Sequence, residues 1–313
     1  MEHYVTLFDR LFLPQGIALH LSMERHAGCY ALWVLCVDDA TFEVLKRLDL
    51  PNVRLLQFSR LETDDLKKVK PTRTTGEYCW TITPFAPRFV FDADRSVNRV
   101  TYVDADMWFR KDPSPIFREF EASGKQVLIT DHAYAAEYDR SCKSGQYCVQ
   151  FMPFNRDGGE EVRRYWERRC LEWCYARSED GKFGDQKYLD DWPERFPSQV
   201  HVLSRQDWIL APWNTTRFPY NSAICHHFHN LRILDLNRYV LGPYAIPAVV
   251  IEQIYKPYAV DLKRACAKLR AIGQEPMAQH EAIRWLWIRR IKAVILGIVE
   301  FRWHYAPARV RRL

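Results

Sequence analysis

The sequence predicts an α/β protein with a mostly parallel central sheet flanked by helices, and two observations carry this prediction. Short apolar runs alternate with helical patterns through the first half of the chain, and repeated β-α-β units imply a parallel sheet. The runs read as strands lie at residues 4–8, 30–37, 53–58, 100–103 and 127–130. The run at 30–37 is apolar without alternation, which is typical of a strand covered on both faces.

Helical patterns fill the intervals between these runs and continue into the second half. The helices are predicted at residues 13–25, 41–48, 74–86, 113–120, 160–175 and 182–192, and beyond residue 243. Further strands are predicted at residues 147–154, 201–203 and 224–229. No repeat or flexible linker separates the two halves. We therefore expect one α/β domain over residues 1–240, followed by a helical basic tail over residues 241–313.

The bulk composition is that of a folded protein with reduced thiols. The 313 residues are 48% hydrophobic and 27% charged, a balance that excludes a disordered chain. The nine cysteines are scattered, and we interpret them as free thiols of a cytosolic protein. Cys170 and Cys174 lie one helical turn apart, but no second pair follows at zinc-site spacing, so buried thiols are the favoured interpretation.

Positive charge is concentrated at the end of the chain. Residues 241–313 contain 13 Lys and Arg against 5 Asp and Glu, a net +8, whereas the whole chain carries +6. Residues 283–301 have a helical pattern in which arginines interrupt a run rich in aliphatic residues and tryptophan, which favours a helix lying on an anionic membrane surface. A helix that packs on the body with its basic residues outward is the alternative.

The charges in the tail argue against a membrane-spanning helix. The N-terminal residues lack the layout of a signal peptide. No nucleic-acid recognition motif accompanies the basic residues, so nucleic acid is not expected as a partner. We expect a cytoplasmic protein, peripheral on the inner face of a bacterial membrane.

Five aspartates follow predicted strands and are expected along one edge of the sheet, where ligands bind in open α/β folds. They are Asp9, Asp38, Asp104, Asp106 and Asp131. Two of them form the segment Asp104-Ala105-Asp106, whose carboxylates point the same way if the segment is extended. Their mutual repulsion is relieved by a divalent cation, and hard oxygen ligands suit Mg²⁺ or Mn²⁺. The small Ala105 lets the backbone approach a ligand.

The segment at residues 100–117, VTYVDADMWFRKDPSPIF, resembles the D-x-D region of GT-A glycosyltransferases, above all the retaining family-8 type. Three further segments resemble that family, in its order, and the four together span about residues 4–231. They are Thr6-Leu7-Phe8-Asp9, like the first strand and base-binding loop; Gly184-Asp185-Gln186, like the D-Q motif; and His227-Phe228-His229-Asn230, like the C-terminal His motif.

The resemblance implies a metal-dependent transfer of sugar from a nucleotide diphosphate donor, most often UDP-linked. It implies metal ligation by Asp104, Asp106 and His229, with His227 as the alternative ligand because Asn230 replaces the usual Gly. It places Asp185 and Gln186 at the transferred sugar, and Thr6 and Asp9 at the nucleotide. For Asp9 and Asp185, capping of a turn or helix is the alternative role.

Other donor-binding residues are predicted where the chain departs from the family pattern. The helix before the D-x-D contains Tyr78 but no basic residue, so Arg73, or less favourably Lys70, would face the diphosphate. Gln150 stands where the family often has Asn. The remaining donor-binding predictions are Asp131, Trp213 and Asn214, although Trp213 is equally consistent with a core position.

The resemblance therefore implies a retaining glycosyltransferase of the hexosyltransferase type. Its acceptor would be a glycan or lipid-linked glycan, as in surface polysaccharide or lipopolysaccharide synthesis. One alternative is a sugar-phosphate nucleotidylyltransferase, which needs a Gly-rich basic loop after the first strand; residues 11–16, LFLPQG, do not supply it. The other is a non-catalytic, membrane-associated nucleotide-sugar-binding protein, which the intact Asp104, Asp106 and Asp185 disfavour.

Overall fold

A computed structural model describes residues 1–279 and 310–313 of the chain. Its strands are β1 (Glu2–Phe8), β2 (Tyr30–Cys36), β3 (Val53–Gln57), β4 (Arg99–Val103), β5 (Met107–Phe109), β6 (Val127–Asp131), β7 (Tyr147–Cys148), β8 (Phe151–Asn155), β9 (Val200–Val202), β10 (Ile209–Leu210), β11 (Cys225–His227), β12 (Arg232–Ile233), β13 (Arg238–Val240) and β14 (Val310–Arg312). Its α-helices are α1 (Leu13–His26), α2 (Asp39–Leu48), α3 (Asp64–Val69), α4 (Thr75–Ile82), α5 (Ala86–Ala93), α6 (Ser114–Ala122), α7 (Ser141–Ser144), α8 (Glu160–Glu172), α9 (Trp192–Arg195), α10 (Ala248–Val250) and α11 (Lys256–Ala271).

The central sheet has the order β3-β2-β1-β4-β8-β6-β7, with β9 paired to β6. Strands β3, β2, β1 and β4 run parallel, β8 is antiparallel to both β4 and β6, and β9 is parallel to β6. Because β4 and β6 are both antiparallel to the strand between them, β8, they run in the same direction. The carboxyl ends of β1, β2, β4 and β6 therefore share one edge of the sheet, and the predicted sheet with flanking helices is confirmed.

Apolar clusters cover both faces of the sheet. On β1, neighbouring Tyr4 and Val5 are both fully buried and belong to different clusters, as the alternation of side chains along a strand requires. Trp166 of α8 and the adjacent Trp192 pack edge to face at 5.6 Å in one of these clusters. Much of the chain's aromatic content thus lies in the core.

Several predicted elements are divided in the structure. The predicted helix at 74–86 is α4, a 3-10 turn (Thr83–Phe85) and the start of α5, because Pro84 and Pro87 each begin a new segment. The predicted strand at 147–154 is split into β7 and β8. The predicted helix at 182–192 is a 3-10 helix (Gln186–Asp191) followed by α9. The three-stranded sheet β12-β13-β14 was not predicted.

The described residues beyond position 240 pack on the rest of the chain. Helix α11 lies against α1, and β14 pairs antiparallel with β13. Gln279 Nε2 donates to the carbonyl oxygen of Leu11 at 3.0 Å. The predicted basic membrane segment at 283–301 lies outside the described residues. None of the helices in the described part of the chain combines the length and the apolar character needed to cross a bilayer.

Candidate metal centre

Two chain segments more than a hundred residues apart meet beyond the end of β4. After Val103 the backbone turns through Asp104, Ala105 and Asp106 into β5. Strand β11 pairs antiparallel with β5, with His227 opposite Met107. The pairing continues one step further, because the Phe228 N–H donates to the Asp106 carbonyl oxygen at 2.9 Å. This register brings the side chain of His227 to the two carboxylates.

The three side chains form a compact group. The Nε2 atom of His227 lies 3.2 Å from Oδ1 of Asp106 and 3.6 Å from Oδ2 of Asp104. One ligand atom from each residue lies within 4.8 Å of the others. Among the described residues, these three are the His, Cys, Asp or Glu side chains that come together closely enough to hold a metal ion. The Tyr102 hydroxyl donates to Oδ1 of Asp104 at 2.8 Å. Two carboxylates and an imidazole at this spacing suit a divalent cation.

His229, the predicted third ligand, is not in this group, whereas the alternative His227 is. His229 lies beside it, with its ring centroid 5.7 Å from that of His227 and 5.4 Å from that of Trp213. Burial lowers the pKa of His229 to about 3, so its ring is neutral. Asn230 has a φ of 63°, in the left-handed region that Gly and Asn adopt most readily. Asn230 therefore serves the turn for which the family uses Gly.

The electrostatics of the group are uneven. Burial and the neighbouring charge of Asp106 raise the pKa of Asp104 to about 7, against the opposing attraction of His227. Burial would also raise the pKa of Asp106, but the charge and hydrogen bond of His227 outweigh it and lower that pKa below its usual value. The two carboxylates raise the pKa of His227 in spite of its burial. A raised pKa means that the His227 ring holds its second proton more tightly than a free imidazole. A cation bound between the three side chains would replace that proton.

Gln150 joins both segments of the metal centre. Its Oε1 lies 3.1 Å from Nδ1 of His227, and its carbonyl oxygen accepts the N–H of Asp104 at 3.3 Å. Its Nε2 donates to the Thr130 hydroxyl at 3.2 Å, and that hydroxyl donates to the Cys148 carbonyl at 3.4 Å. Gln150 is 1% exposed, so it supports the metal centre from beneath and does not line its open side.

Asp185 and Gln186 are neighbours in the chain with different surroundings: the Asp185 carboxyl is buried, and the Gln186 amide is bonded to Ser144. Burial, and next the charge of Asp104, raise the pKa of Asp185 well above its usual value, which places this carboxyl within the field of the metal centre. The Trp166 indole donates to the Asp185 carbonyl oxygen at 2.8 Å. Nε2 of Gln186 donates to the carbonyl oxygen of Ser144 at 2.5 Å. The amide orientation of Gln186 is therefore fixed by the last residue of α7.

Asp9 and Asp38 follow β1 and β2 at the same sheet edge and both cap helical turns. Oδ1 of Asp9 accepts the Leu11 N–H at 3.0 Å. The Asp38 carboxylate accepts the N–H groups of Thr41 at 2.7 Å and Arg10 at 3.1 Å. Burial, opposed by the Leu11 hydrogen bond and aided by the charge of Asp38, raises the pKa of Asp9. The capping alternative for Asp9 therefore has a structural basis.

Three of the predicted donor-binding residues are buried in the core or face other partners. Thr6 is fully buried within β1. The Tyr78 hydroxyl donates to Glu62 at 2.6 Å, and its ring lies in the core beside Phe58. The guanidinium of Arg73 stacks over the ring of Tyr175 at 4.0 Å and donates to the Leu171 carbonyl oxygen at 3.3 Å. In this structure neither Tyr78 nor Arg73 faces Asp104 and Asp106.

The other three predicted residues are held by backbone and loop groups, and of these Trp213 packs against the metal centre. Trp213 is 3% exposed, and its indole donates to the His132 carbonyl oxygen at 2.7 Å, so its ring packs against His227 and does not form a sugar platform. Asn214 is buried and accepts the Ala211 N–H at 2.8 Å. Asp131 accepts the Ala133 N–H and the amides of Gln146 and Gln206.

The sequence analysis missed Arg232, which lies near the metal centre. The charge of Asp106 raises its pKa, although burial has the larger opposite effect and the pKa is lowered. Its guanidinium lies over the ring of Phe12 at 5.6 Å, next to the loop that follows β1. The available signal was a basic residue five positions after His227, just beyond the His motif.

Comparison with known proteins places the chain in a family. It is 31% identical over 253 residues to the uncharacterized protein YfnF of Bacillus subtilis (strain 168), covering 75% of this chain and 83% of YfnF. The chain belongs to the YfnF family. A second Bacillus subtilis relative, the uncharacterized protein YfnD, is 28% identical over 282 residues, covering 84% of this chain and 89% of YfnD. No family model matches the chain.

Solved structures identify the fold of this YfnF-family chain as that of GT-A glycosyltransferases. The galactosyltransferase LgtC, solved in complex with donor and acceptor sugar analogues, aligns with a TM-score of 0.52 at 10% identity over 84% of this chain and 95% of LgtC. The glycosyltransferase GlyE of Streptococcus pneumoniae TIGR4 aligns with a TM-score of 0.50 at 13% identity over 89% of this chain and 66% of GlyE. At these identities the likeness shows the fold alone.

Proposed function

We propose that the chain is a metal-dependent glycosyltransferase that moves a sugar from a nucleotide diphosphate donor, most favourably a UDP-sugar. The observation that carries this proposal is the group of Asp104, Asp106 and His227 at the carboxyl edge of the parallel strands. Ligands of open α/β sheets bind at that edge. The GT-A fold supports sugar transfer over the other chemistries that such an edge accommodates.

The donor atoms favour Mn²⁺, with Mg²⁺ as the second choice, because an imidazole joins the two carboxylates and Mg²⁺ prefers oxygen ligands. When bound, the cation supplies Lewis-acid stabilisation to the diphosphate leaving group. Asp104, Asp106 and His227 would hold it. Arg232, near Asp106 and beside the loop after β1, would contact the diphosphate in the role that Arg73 was predicted to fill.

The transferred sugar would lie toward Asp185 and Gln186. Since Nε2 of Gln186 is engaged by the Ser144 carbonyl, its Oε1 is the amide atom left for the sugar. Retention of the anomeric configuration and a hexosyl donor follow from the resemblance to family-8 enzymes. Asp9 would serve the nucleotide, since it stands at the end of β1 beside Asp38.

We assign the acceptor to the class of glycans or lipid-linked glycans, as in surface polysaccharide or lipopolysaccharide synthesis. The support is the basic segment at residues 283–301, in which arginine, tryptophan and aliphatic residues are mixed. Such a composition suits a helix in an anionic membrane interface. The enzyme would then work as a peripheral protein on the inner face of the bacterial cytoplasmic membrane.

Calorimetric titration of a UDP-sugar panel, with and without Mn²⁺, tests the proposal. We expect UDP-sugar binding that depends on Mn²⁺, and we expect Asp106→Asn to abolish it because one of two carboxylate ligands is lost. Asp131→Asn is the matched control, since Asp131 bonds only loop groups among its described contacts. Normal Mn²⁺ and UDP binding by Asp106→Asn would refute the metal assignment.

The role of Gln186 has a different signature. Gln186→Ala should leave the affinity for UDP and Mn²⁺ within about threefold, because Gln186 is not a proposed ligand of either. The rate at which UDP is released from the donor during turnover should fall by about 100-fold or more. This is the range seen when a group that stabilises only the transition state is removed. Equal losses of binding and turnover would instead indicate that Gln186 supports the fold of the donor site.

A further inference from the structure

The metal centre rests on a series of hydrogen bonds that runs from Cys148 of β7 through Thr130 of β6 and Gln150 to His227. The series begins at the Cys148 carbonyl, which can only accept, and the Thr130 hydroxyl lies 3.4 Å from it. The Thr130 hydroxyl donates its hydrogen bond to that carbonyl. The lone pairs of the Thr130 oxygen remain free to accept the Nε2–H of Gln150 at 3.2 Å. These two contacts determine which end of the Gln150 amide faces His227.

The direction of the series fixes the tautomer of His227. With Nε2 of Gln150 engaged by Thr130, Oε1 faces Nδ1 of His227 at 3.1 Å. An amide oxygen only accepts, so Nδ1 must carry a proton; in the metal-free protein Nε2 also faces an acceptor, the Asp106 carboxylate, and can carry a second proton. With Nδ1 held protonated by Gln150, Nε2 is the nitrogen that can give up its proton and present a lone pair to a cation, and it lies 3.2 Å from Asp106 and 3.6 Å from Asp104. A flipped amide would put the proton on Nε2 and oppose metal binding.

From this geometry we infer that Gln150 is a positioning residue: it holds His227 in the tautomer that presents a bare Nε2 to a divalent cation. The inference rests on the proposed metal centre and assigns Gln150 a role other than the donor contact expected from its sequence position. Metal-bound histidines in general donate their second N–H to such an acceptor, and loss of the acceptor typically weakens metal affinity about 10- to 100-fold.

Gln150 also places the other ligands relative to His227. Its backbone carbonyl accepts the N–H of Asp104 at 3.3 Å while its side chain contacts His227. The ring of Trp213 packs edge to face on the His227 ring at 5.5 Å, which restrains the ring from a second side. The backbone contact survives any side-chain substitution, so a variant at position 150 tests the amide alone.

Two variants of similar volume separate the chemistry from the packing. Gln150→Met removes the acceptor, and Gln150→Glu retains an oxygen that accepts from Nδ1. In titrations of the full chain with Mn²⁺ alone, we expect Gln150→Met to weaken binding by about 10- to 100-fold. Gln150→Glu should stay within about threefold of the wild type. Equal Mn²⁺ affinity in the wild type and Gln150→Met would overturn the inference.

A double-variant comparison distinguishes positioning from a general loss of structure. In a His227→Ala background, Gln150→Met should cause no further loss of residual Mn²⁺ affinity, because Gln150 acts through the absent ring. The same loss in both backgrounds would overturn the inference. If Gln150→Met does not fold, Thr130→Val serves instead, since it removes the hydroxyl that orients the amide, and we expect a loss in the same direction.

Nitrogen-15 spectroscopy of the His227 ring in metal-free protein at pH 9 gives a readout independent of the metal. We expect a protonated Nδ1 in the wild type, as the Nδ1–H tautomer or as the imidazolium that also donates to Asp106, and a larger share of the Nε2–H tautomer in Gln150→Met. If the wild type shows a protonated Nδ1 but binds no divalent ion, the metal centre fails and the hydrogen-bond assignment stands. If the wild type shows the Nε2–H tautomer, the inference is refuted whether or not a metal binds.

Discussion

The indole Nε1 of Trp108 donates a hydrogen bond of 2.8 Å to Oδ2 of Asp261, and this bond joins β5 to α11. Asp261 is 2% exposed and also pairs with the guanidinium of Arg25 on α1. Trp108 lies two residues after Asp106, in the strand that pairs with β11. A helix beyond residue 240 therefore supports the strand that holds a proposed metal ligand.

Replacing Asp261 should destabilise the protein markedly. Asp261→Ala leaves the indole of Trp108 without its acceptor and Arg25 without its partner, and hydrogen bonds to a charged group are worth about 1.5–3 kcal/mol each. Arg25 is partly exposed and regains water, so we expect a decrease of about 2–3 kcal/mol in the free energy of unfolding. Urea denaturation monitored by tryptophan fluorescence measures it.

The control is Glu252→Ala, which removes the exposed ion pair with Lys256. Exposed pairs of this kind contribute about 0–1 kcal/mol. A loss for Asp261→Ala no larger than that of the control would show that α11 is only loosely tied to β5.

The parts of the metal centre that depend on local sequence could be predicted. Asp104 and Asp106 follow a short apolar strand, and the end of a parallel strand points toward the ligand edge whatever lies elsewhere in the fold. The ligand choice between His227 and His229 could not be made this way. It depends on where β11 pairs with β5: His227 is the last residue of β11 and lies opposite Met107, whereas His229 lies beyond the end of the strand.

Side chains whose partners are distant in sequence were placed less well. Tyr78 was expected at the donor, but Glu62 accepts its hydroxyl and Lys70 lies over its ring at 5.3 Å. The guanidinium of Arg73 stacks on the ring of Tyr175, about a hundred residues later in the sequence. Arg232 was missed because no strand was predicted around it. In each case the helix or loop position was visible in the sequence, and the contact that orients the side chain was not.

The basic segment at 283–301 yields a prediction about membrane surfaces. The triple change Arg289→Glu, Arg290→Glu and Lys292→Glu should weaken binding to vesicles rich in phosphatidylglycerol, because each Lys or Arg near an anionic surface contributes about 1 kcal/mol. We expect a loss of about 100-fold or more in partitioning, measured by vesicle sedimentation. Substitutions leave β14 in place, whereas truncation would remove it.

The control for this experiment is the same measurement on neutral phosphatidylcholine vesicles, to which both proteins should bind weakly. Unchanged binding of the triple variant to anionic vesicles would show that the basic residues do not contact the membrane and would favour packing of the segment on the body.

The raised pKa of Asp104 predicts that metal affinity depends on pH. Burial raises this pKa to about 7, so below that pH the metal-free site holds a proton that a cation must displace. The raised pKa of His227 acts in the same direction. The affinity for Mn²⁺ should therefore increase as pH rises to about 7 and level off above it, with a decrease of about tenfold from pH 8 to pH 6.

Titrations at pH 6, 7 and 8 in buffers of different ionisation enthalpy check the sign. About one proton or more should be released on Mn²⁺ binding at pH 6, and little at pH 8. An affinity that does not change between pH 6 and pH 8 would contradict a proton on the metal-free site.

Arg232 and Arg73 provide a matched pair of variants for the diphosphate. Arg232→Gln should weaken binding of UDP with Mn²⁺ by about 10- to 100-fold, since a charge-assisted contact is worth about 1.5–3 kcal/mol. The affinity of Arg232→Gln for Mn²⁺ alone should increase or stay the same, because a positive charge near Asp106 is removed. Arg73→Gln should leave both affinities within about threefold, because Arg73 stacks on Tyr175.

Calorimetry with Mn²⁺ alone and with UDP in saturating Mn²⁺ separates the two effects for each variant. The opposite sign of the two effects is specific to a cation that lies beside a metal site and faces an anionic ligand. A disturbed fold would weaken both affinities together. If Arg73→Gln weakened UDP binding and Arg232→Gln did not, the diphosphate would lie toward α4, and the interpretation of Arg73 from its sequence position would be right.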